Sequence, residues 1–579
     1  MVLKIFFLET NKNFSIVALT ENRVMKKKVL ITSALPYINN IPHMGHMVGC
    51  HLPADIFARY CRQKGYDVTF VGGSDEHGTP SVIAAGKEDK NIKDFVDNLH
   101  EIHKKIYERM NISYDIYSRT SDEEHFDMTQ EIFLDIYNSG YVVEKEEELY
   151  YSEEDKMFLP DRFLIGECPS CRSEANSDQC ESCGKVLSSK ELVNPKSILS
   201  GSTPVLRKST HLYLDLAKIS SKLDEWLESK RDIFKKNVYS EAKKWIKEGL
   251  RARSITRDMS WGVPVPLDGY EGKVFYVWFD APIGYMTFAK KLGVNWEDRE
   301  IFHFLGKDNI PFHTVFWPSI LIAANRKLPY NVVGYNYLTF EGEKFSKSKS
   351  IGVFCTNIHD ESLDIDMLRF YLASCLPESK DSDFRWKEFR QVVNSQLIGN
   401  VANFFNRTVS MINKYFDGEI SLSEMPSYPI LSEKKIFSND IGILFEKGEI
   451  RAGIKKILEF SSLGNSFIDS KEPWNLAKTD KKELSKVLYS CLDHARTLAI
   501  LMSPIVPDKM ATFWKDQLLL TDVPSKPGLW NLEENFPLIH KIGRPNPSPQ
   551  VVFIPTSHAL YNRLTLSSVK RPASGAVRM

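Results

Sequence analysis

The feature that most constrains the fold is a strand, turn and helix pattern near the start of the chain. The run from Val29 to Ser33 begins with three apolar residues, carries no charge and predicts a buried strand. A turn rich in Pro and Asn follows, and His43-Met-Gly-His46 stands where a helix would open. Unpaired N–H groups at a helix N-terminus attract anions, so the pattern predicts an anion site. Two core histidines that bind nothing are the competing interpretation.

A second strand completes this unit. Apolar residues recur every four positions from Val48 to Tyr60, which predicts a helix, and Gly65 ends it. The run from Asp67 to Gly73 is a short apolar stretch typical of another buried strand. A strand, helix and strand in this order favour a parallel sheet that binds ligands at the carboxyl ends of its strands. The polar stretch from Ser74 to Pro80 follows one such end.

Length and composition limit the function classes. A chain of 579 residues is expected to form three or four domains. Lys plus Arg and Asp plus Glu both number 75, so the net charge indicates neither a nucleic-acid nor a membrane partner. The sequence contains no uninterrupted run of 18 apolar residues, so we expect no membrane span. Glu9 and Lys12 interrupt the apolar patches of residues 1–24, which is untypical of a signal peptide.

Four of the nine cysteines lie in one short window and form two Cys-x-x-Cys pairs, Cys168 with Cys171 and Cys180 with Cys183. This spacing lets two thiolates of each pair face one ion, and two pairs complete a tetrahedron of soft ligands. With four protein ligands no position is open to substrate, so the pattern predicts one structural Zn²⁺. Metal-binding cysteines rather than disulfides indicate a reducing compartment, and we expect a cytoplasmic protein.

The alternation of predicted strands and helices indicates where the domains begin and end. Strands are predicted at Lys273 to Phe279 and at Glu300 to Gly306, and helices dominate after about residue 392. The predicted organisation is a disordered leader (1–24), the first half of an α/β domain (25–145), an insertion with the cysteines (146–255), the second half of the α/β domain (256–355), a linking segment (356–391), a helical domain (392–545) and a flexible basic tail (546–579).

A second polar stretch, Glu341 to Ser350, has no hydrophobic period and carries Lys344, Lys347 and Lys349. Lysines on a mobile loop can close over a polyphosphate and stabilise the charge that develops on its leaving group. A solvated basic loop without function is the competing interpretation when this stretch is taken alone.

His43-Met-Gly-His46 and Lys344-Phe-Ser-Lys-Ser348, about 300 residues later, together resemble the two signature motifs of the class I aminoacyl-tRNA synthetases. Other stretches resemble the methionyl-tRNA synthetases: Ala34 to Tyr37, Gly73 to Pro80, the cysteine pairs, Tyr276 to Tyr285 and Gly306 to His313. The resemblance covers about residues 27 to 545. It implies a Rossmann-like parallel-sheet catalytic domain, split by a zinc-knuckle insertion and followed by an α-helical anticodon-binding bundle. Phe345 replaces the Met often found in the second signature.

The resemblance implies a methionine–tRNA ligase, which joins methionine to ATP as methionyl-adenylate and then charges tRNA(Met), the initiator included. By this resemblance ATP, with Mg²⁺, is bound by His43, Gly45, His46, Arg257, Asp308 and Lys347, and the catalytic groups are His43, His46, Lys344 and Lys347. Methionine is bound by Leu35, Tyr37, Asp75, Trp278, Ala281, Pro282, Tyr285 and His313, with Asp75 holding its ammonium group. The anticodon is bound by Asn403, Arg407 and Trp474. We expect a monomer without a membrane partner.

Other functions compete with this one. Leucyl-, isoleucyl- and valyl-tRNA synthetases carry a long editing insertion, and the insertion here spans only about 110 residues. Cysteinyl enzymes use a zinc site in the catalytic pocket with His and Glu among its ligands, whereas the predicted zinc ligands here are all cysteines. A small nucleotidyltransferase shares His-x-Gly-His but needs no helical tRNA domain, and a zinc-dependent RNA-binding module would lack catalysis. Because an apolar pocket separates near-isosteres by only about 1–3 kcal/mol, we expect homocysteine to enter and to be edited in the same site.

Overall fold

The computed structural model describes residues 26–177, 180, 182–183, 187, 189–343, 345, 363–522, 524, 526–532 and 539–543. The predicted leader and tail, together with Lys344 and Lys347, lie outside the described residues.

The described strands are β1 (Lys28–Ser33), β2 (Asp67–Ser74), β3 (Ile116–Arg119), β4 (Val142–Ser152), β5 (Met157–Phe158), β6 (Leu164–Glu167), β7 (Glu174–Asn176), β8 (Val193–Ser197), β9 (Val205–Leu214), β10 (Arg253–Ser254), β11 (Thr256–Arg257), β12 (Val274–Phe275), β13 (Glu300–Gly306), β14 (Asn331–Tyr335), β15 (Leu338–Phe340), β16 (Ser382–Phe384), β17 (Glu419–Ser421) and β18 (Ile539–Lys541).

The described α-helices are α1 (Met44–His46), α2 (Leu52–Lys64), α3 (Thr79–Lys87), α4 (Ile92–Arg109), α5 (Glu123–Asn138), α6 (Leu216–Glu228), α7 (Lys236–Lys247), α8 (Val277–Asp280), α9 (Gly284–Lys291), α10 (Trp317–Ala323), α11 (Ile365–Ser374), α12 (Trp386–Val392), α13 (Asn403–Phe416), α14 (Pro429–Glu446), α15 (Ile450–Lys471), α16 (Pro473–Thr479), α17 (Lys481–Met502) and α18 (Pro507–Thr512). π-Helical turns at Met47–His51, Phe312–Phe316, Val393–Ala402 and Phe513–Gln517 connect some of them.

A five-stranded sheet in the order β14-β13-β1-β2-β3 forms the centre of the α/β part, and all four neighbouring pairs are parallel. The central strand β1 is buried from Val29 to Ser33, as expected for a strand covered on both faces. This confirms the predicted parallel sheet. Gly65 ends α2 with a φ of 85°, the left-handed conformation that glycine adopts without steric cost.

The insertion contains two antiparallel sheets and the helices α6 and α7. In the first, the long strands β4 and β9 pair along ten residues of each, with β5 and β10 at the edges. The second, in the order β7-β6-β8, lies beside the cysteine pairs. Both sheets fall between β3 and β13 of the parallel sheet, so the α/β part is split as predicted.

The predicted strand from Lys273 to Phe279 is wrong. Within it only Val274–Phe275 pairs as a strand, and Val277–Asp280 is helical. Phe275 and Phe279 both pack on Phe133 of α5, with ring centroids 4.8 and 6.4 Å from it. A short continuous apolar run is buried in either conformation, so its pattern alone does not separate a strand from a helix.

The last part of the described chain is helical, as predicted. Helix α17 packs against α13, α14, α15 and α16 and is buried from Val487 to Met502. Arg369 of α11 is fully buried at the junction with the α/β part, where its guanidinium group binds Asp55 of α2 at 2.6 Å and donates to the carbonyls of Pro504 and Ile505. Among the described residues no helix has the length and apolar character needed to span a membrane.

Candidate active site and metal centre

The two signature histidines cap the short helix α1. The Gly45 backbone N–H donates to His43 Nδ1 at 3.1 Å, and the His43 backbone N–H donates to His46 Nδ1 at 3.1 Å. Burial and the neighbouring His46 lower the pKa of His43 to about 2, so His43 is neutral near pH 7. A neutral imidazole that accepts at Nδ1 carries its proton on Nε2. Burial also lowers the pKa of His46 to about 4, so both rings are neutral and carry their proton on Nε2.

Gly45 is required by the close approach of His43. A Cβ atom at position 45 would lie 2.8 Å from Cε1 and 2.9 Å from Nδ1 of that ring, so an alanine would force the ring to move. The same Cβ would lie 3.6 Å from Phe345. Because position 45 has no side chain, the rings of His43 and Phe345 can both lie close to the start of α1.

These histidines line a cavity of about 480 Å³ at the carboxyl ends of β1 and β13, which we call the histidine cavity. Its wall contains His43, Gly45, His46, Asp308 and Phe345. Among the predicted ATP-binding residues, the structure thus brings four together. Asp308 also accepts a hydrogen bond from the hydroxyl of Tyr337, another residue of the wall.

A second cavity, of about 300 Å³, adjoins the first, and we call it the aromatic cavity. All eight residues predicted to bind methionine line it, although they come from four separate stretches of the sequence: Leu35, Tyr37, Asp75, Trp278, Ala281, Pro282, Tyr285 and His313. The two cavities share Leu35, His46 and Asp308 as walls. A molecule in one cavity therefore lies next to a molecule in the other.

Stacked rings form much of the aromatic cavity. Trp278 lies parallel to Phe312, with centroids 3.7 Å apart and planes inclined by 13°, and Tyr37 meets Trp278 edge-on at 6.2 Å. On the other wall the Tyr285 hydroxyl donates to His313 Nε2 at 2.9 Å, and His313 Nδ1 donates to the Asn309 carbonyl at 3.0 Å. The cavity thus offers polarizable apolar faces and few polar atoms.

Asp75 is the acidic group of the aromatic cavity. Its backbone N–H donates to the Pro36 carbonyl at 2.9 Å, which ties β2 to the turn after β1. Burial, then the nearby Asp280, raises the pKa of Asp75 well above its ordinary value. Its Oδ1 atom is buried and has no hydrogen-bond partner among the described residues. A buried acceptor without a donor is costly, and a ligand with an ammonium group would supply one.

The four cysteine sulfurs converge as the spacing predicts. All Sγ atoms lie within 4.8 Å of one another, with Cys168 and Cys183 at 3.8 Å and Cys171 and Cys180 at 3.6 Å. A tetrahedral ion with metal–sulfur bonds of about 2.3 Å places its sulfurs about 3.8 Å apart, so the spacing fits. Hydrogen bonds from the Ser173 backbone and side chain lower the pKa of Cys171 to about 6, which favours the thiolate that metals bind. The cluster is a candidate metal site.

Comparison with known proteins decides the family. A family model described as tRNA synthetases class I (M) matches residues 29–409, and the anticodon binding domain of methionyl tRNA ligase matches residues 438–529. The methionine–tRNA ligase of Pyrococcus horikoshii is 40% identical over 549 residues, which cover 89% of this chain and 74% of that protein. That of Sulfurisphaera tokodaii is 41% identical over 503 residues, 83% of this chain and 87% of that protein.

The chain belongs to the methionyl-tRNA synthetases. A solved methionyl-tRNA synthetase from Mycobacterium tuberculosis, in complex with methionyl-adenylate, has the same fold, with a TM-score of 0.74 at 23% identity over 91% of this chain and 100% of that one. The other synthetases, the small nucleotidyltransferase and the RNA-binding module without catalysis are therefore rejected as interpretations of the sequence.

Not every residue assigned by resemblance reaches the two cavities. Arg257 lies on β11, with its guanidinium group over the ring of Tyr276 at 3.9 Å, and lines neither cavity. Conversely, Asn309, Phe312 and Trp317 line the aromatic cavity and were not selected from the sequence. Asn309 and Phe312 directly adjoin Asp308 and His313, so their position in the motif is the signal that would have found them.

Two of the three predicted anticodon residues lie together. Asn403 and Arg407, one turn apart on α13, both donate to the Asn465 side-chain oxygen of α15, at 3.3 and 3.4 Å. Trp474 is on the neighbouring helix α16, after Pro473, and 42% of it is exposed. An indole with an exposed face suits stacking on an unpaired base, which is a common way for proteins to recognise RNA loops.

Proposed function

We propose that this methionyl-tRNA synthetase activates methionine with ATP to methionyl-adenylate and pyrophosphate, and then transfers methionine to the 3′ end of tRNA(Met), the initiator included. The observation that carries the proposal is the shared wall of the two cavities, which includes Leu35 and His46. It allows a carboxylate in the aromatic cavity to meet the α-phosphate of ATP in the histidine cavity. Because that carboxylate is itself the nucleophile, alignment and charge neutralisation are what the protein must provide.

In this proposal the Nε2–H groups of His43 and His46 donate to the ATP phosphates, and Gly45 lies under the adenine. Asp308 binds the ribose or the adenylate. Lys344 and Lys347 meet the pyrophosphate as it leaves, and Arg257 acts on the nucleotide side. The roles of these last three residues rest on the family resemblance alone. Mg²⁺ accompanies ATP and neutralises part of its charge.

Methionine occupies the aromatic cavity. The ionised Asp75 accepts from its ammonium group, which gives the buried Oδ1 atom a partner. Its thioether packs on the rings of Tyr37, Trp278 and Tyr285, since a flexible and polarizable sulfur side chain makes favourable contacts with aromatic rings. Leu35, Ala281, Pro282 and His313 complete the wall.

Transfer requires that the enzyme recognise its tRNA. We assign reading of the CAU anticodon to Trp474, Asn403 and Arg407: the indole stacks on a base and the other two donate to base edges. Asn403 donates to Asn465, and Arg407 donates to Asn465 and pairs with Asp469 at 2.5 Å; these contacts hold both side chains in place and limit the conformational freedom lost on binding.

The candidate metal site takes one structural Zn²⁺ on Cys168, Cys171, Cys180 and Cys183. Four soft ligands in tetrahedral spacing are what this ion prefers, and they leave it no position for substrate. When bound, the ion holds the turns beside β6, β7 and β8 together. We further propose that the enzyme acts as a monomer in the cytoplasm, where thiols stay reduced.

The test is aminoacylation of a tRNA(Met) transcript by the purified full chain with ATP, Mg²⁺ and labelled methionine. We expect methionine in an alkali-labile ester at the 3′ end, and much slower charging of a transcript whose CAU anticodon is replaced. A chain that charges neither transcript under conditions in which a known methionyl-tRNA synthetase charges the first would overturn the proposal.

A further inference from the structure

His303 is a fully buried histidine of β13 that lines neither cavity. It stands directly opposite Thr32 in the register of β13 and β1. Its Nδ1 atom lies 2.6 Å from Thr32 Oγ1, and the indole N–H of Trp317 donates to its Nε2 atom at 3.2 Å. The imidazole thus bridges the central strand of the sheet and the first residue of α10.

The two contacts determine the protonation of the ring. An indole nitrogen can only donate, so His303 Nε2 must accept and carries no proton. Burial, then the nearby His313, lowers the pKa of His303 well below its ordinary value, so the ring is neutral. Its one proton is therefore on Nδ1 and is donated to the Thr32 hydroxyl.

Three rings of the aromatic cavity surround this bridge. Trp317 is bound to it directly, and the centroids of Tyr285 and His313 lie 5.0 and 5.5 Å from that of His303. Trp317 also begins α10 immediately after the π-helical turn Phe312–Phe316, which carries Phe312 and His313 into the cavity. A displaced Trp317 would move this turn with it.

We infer that His303 is a positioning residue for the amino-acid substrate: through its bond to Trp317 it fixes the wall of the aromatic cavity against which the methionine side chain packs. The inference rests on the proposed function. It concerns the amino acid alone, because Trp317 lines the aromatic cavity and not the histidine cavity.

Two substitutions of His303 distinguish its contact with Trp317 from its contact with Thr32. In His303→Gln the side-chain oxygen reaches the Nε2 position and still accepts from Trp317, whereas in His303→Asn the amide reaches only the Nδ1 position and leaves the indole N–H without a partner. A buried donor without a partner is costly, so we expect His303→Asn to raise the KM for methionine about tenfold in ATP–pyrophosphate exchange. We expect His303→Gln to stay within about threefold of the parent, and both to change the KM for ATP by less than about twofold.

Thr32→Val is the second test, because it keeps the shape of the strand residue and removes only the acceptor of the Nδ1 proton. The buried Nδ1–H then has no acceptor, so the ring should shift from its place and weaken the bond to Trp317; the KM for methionine should rise severalfold while the KM for ATP does not. Thr32→Val decides alone if His303→Asn does not fold.

Equal KM values for methionine in the parent, His303→Asn and Thr32→Val would overturn the inference, as would equal increases for methionine and ATP. A parent chain without methionine-dependent exchange would instead overturn the proposed function.

Discussion

The ring of Phe345 lies flat on the imidazole of His43, with centroids 4.5 Å apart and planes inclined by 5°. The contact joins the two signature stretches, which are about 300 residues apart in the sequence. It also places Phe345 of the second signature at the wall of the histidine cavity. A flat apolar side chain at position 345 therefore orients the imidazole that we assign to ATP.

We expect Phe345→Ala to lower kcat of ATP–pyrophosphate exchange about tenfold, since the ring that supports His43 is lost and aromatic pairs contribute about 0.5–1.5 kcal/mol beyond their burial. The KM for methionine should not change, because Phe345 does not line the aromatic cavity. Phe345→Met, which keeps an apolar anchor, serves as the matched variant and should retain most of the rate. Similar losses in both variants would show that the flat ring itself is required, and an unchanged rate in Phe345→Ala would contradict a role of the contact in orienting His43.

Asp75→Asn should raise the dissociation constant of methionine about a hundredfold, because a neutral amide cannot replace the carboxylate opposite an ammonium group. In the parent, the raised pKa of Asp75 means that more of the group is ionised as the pH increases, so methionine should bind more tightly at higher pH. Calorimetric titration at several pH values checks both points. The solvent-exposed change Asp94→Asn is the control, and an Asp75→Asn chain that kept the affinity and its pH dependence would refute the assignment.

One zinc ion per chain is expected by elemental analysis. Cys171→Ser should lose it, whereas Cys375→Ser, outside the cluster, should keep it. Because a structural site of this kind contributes on the order of ten kcal/mol to the folding of its module, chelation should first abolish amide-hydrogen protection in β6, β7 and β8. Full activity and full protection after complete removal of the metal would contradict a structural role.

Trp474→Ala should raise the KM for tRNA at least tenfold and leave ATP–pyrophosphate exchange unchanged, since stacking of one base on an aromatic ring contributes about 1–3 kcal/mol. Trp474→Phe keeps an aromatic face and should show an intermediate KM. If Trp474→Ala weakened exchange and tRNA charging equally, the residue would be part of the helical core despite its exposed face.

The parallel sheet and the cysteine cluster could be predicted because both depend on local pattern. Val29 to Ser33 is mainly apolar and carries no charge, as suits a strand buried on both faces, and a Cys-x-x-Cys spacing is itself a ligand geometry. The aromatic cavity could be assigned only by family resemblance, because its residues come from distant stretches.

Other features have no local signal. Val277–Asp280 is helical, although its apolar run suits a strand equally well. The bond from Tyr337 to Asp308 and the bridge from Thr32 through His303 to Trp317 join positions that only the folded chain brings together. The resemblance assigns Arg257 to the nucleotide, whereas the structure places its guanidinium group over the ring of Tyr276 and outside the wall of both cavities.

The most direct test of the account is ATP–pyrophosphate exchange by the purified chain with each of the twenty amino acids in turn. We predict rapid exchange with methionine and exchange that is slower by about ten- to two-hundredfold with leucine, isoleucine, valine and cysteine, whose side chains lack the flexible thioether that packs on Tyr37, Trp278 and Tyr285. Exchange that is independent of the amino acid, or faster with one other than methionine, would contradict it.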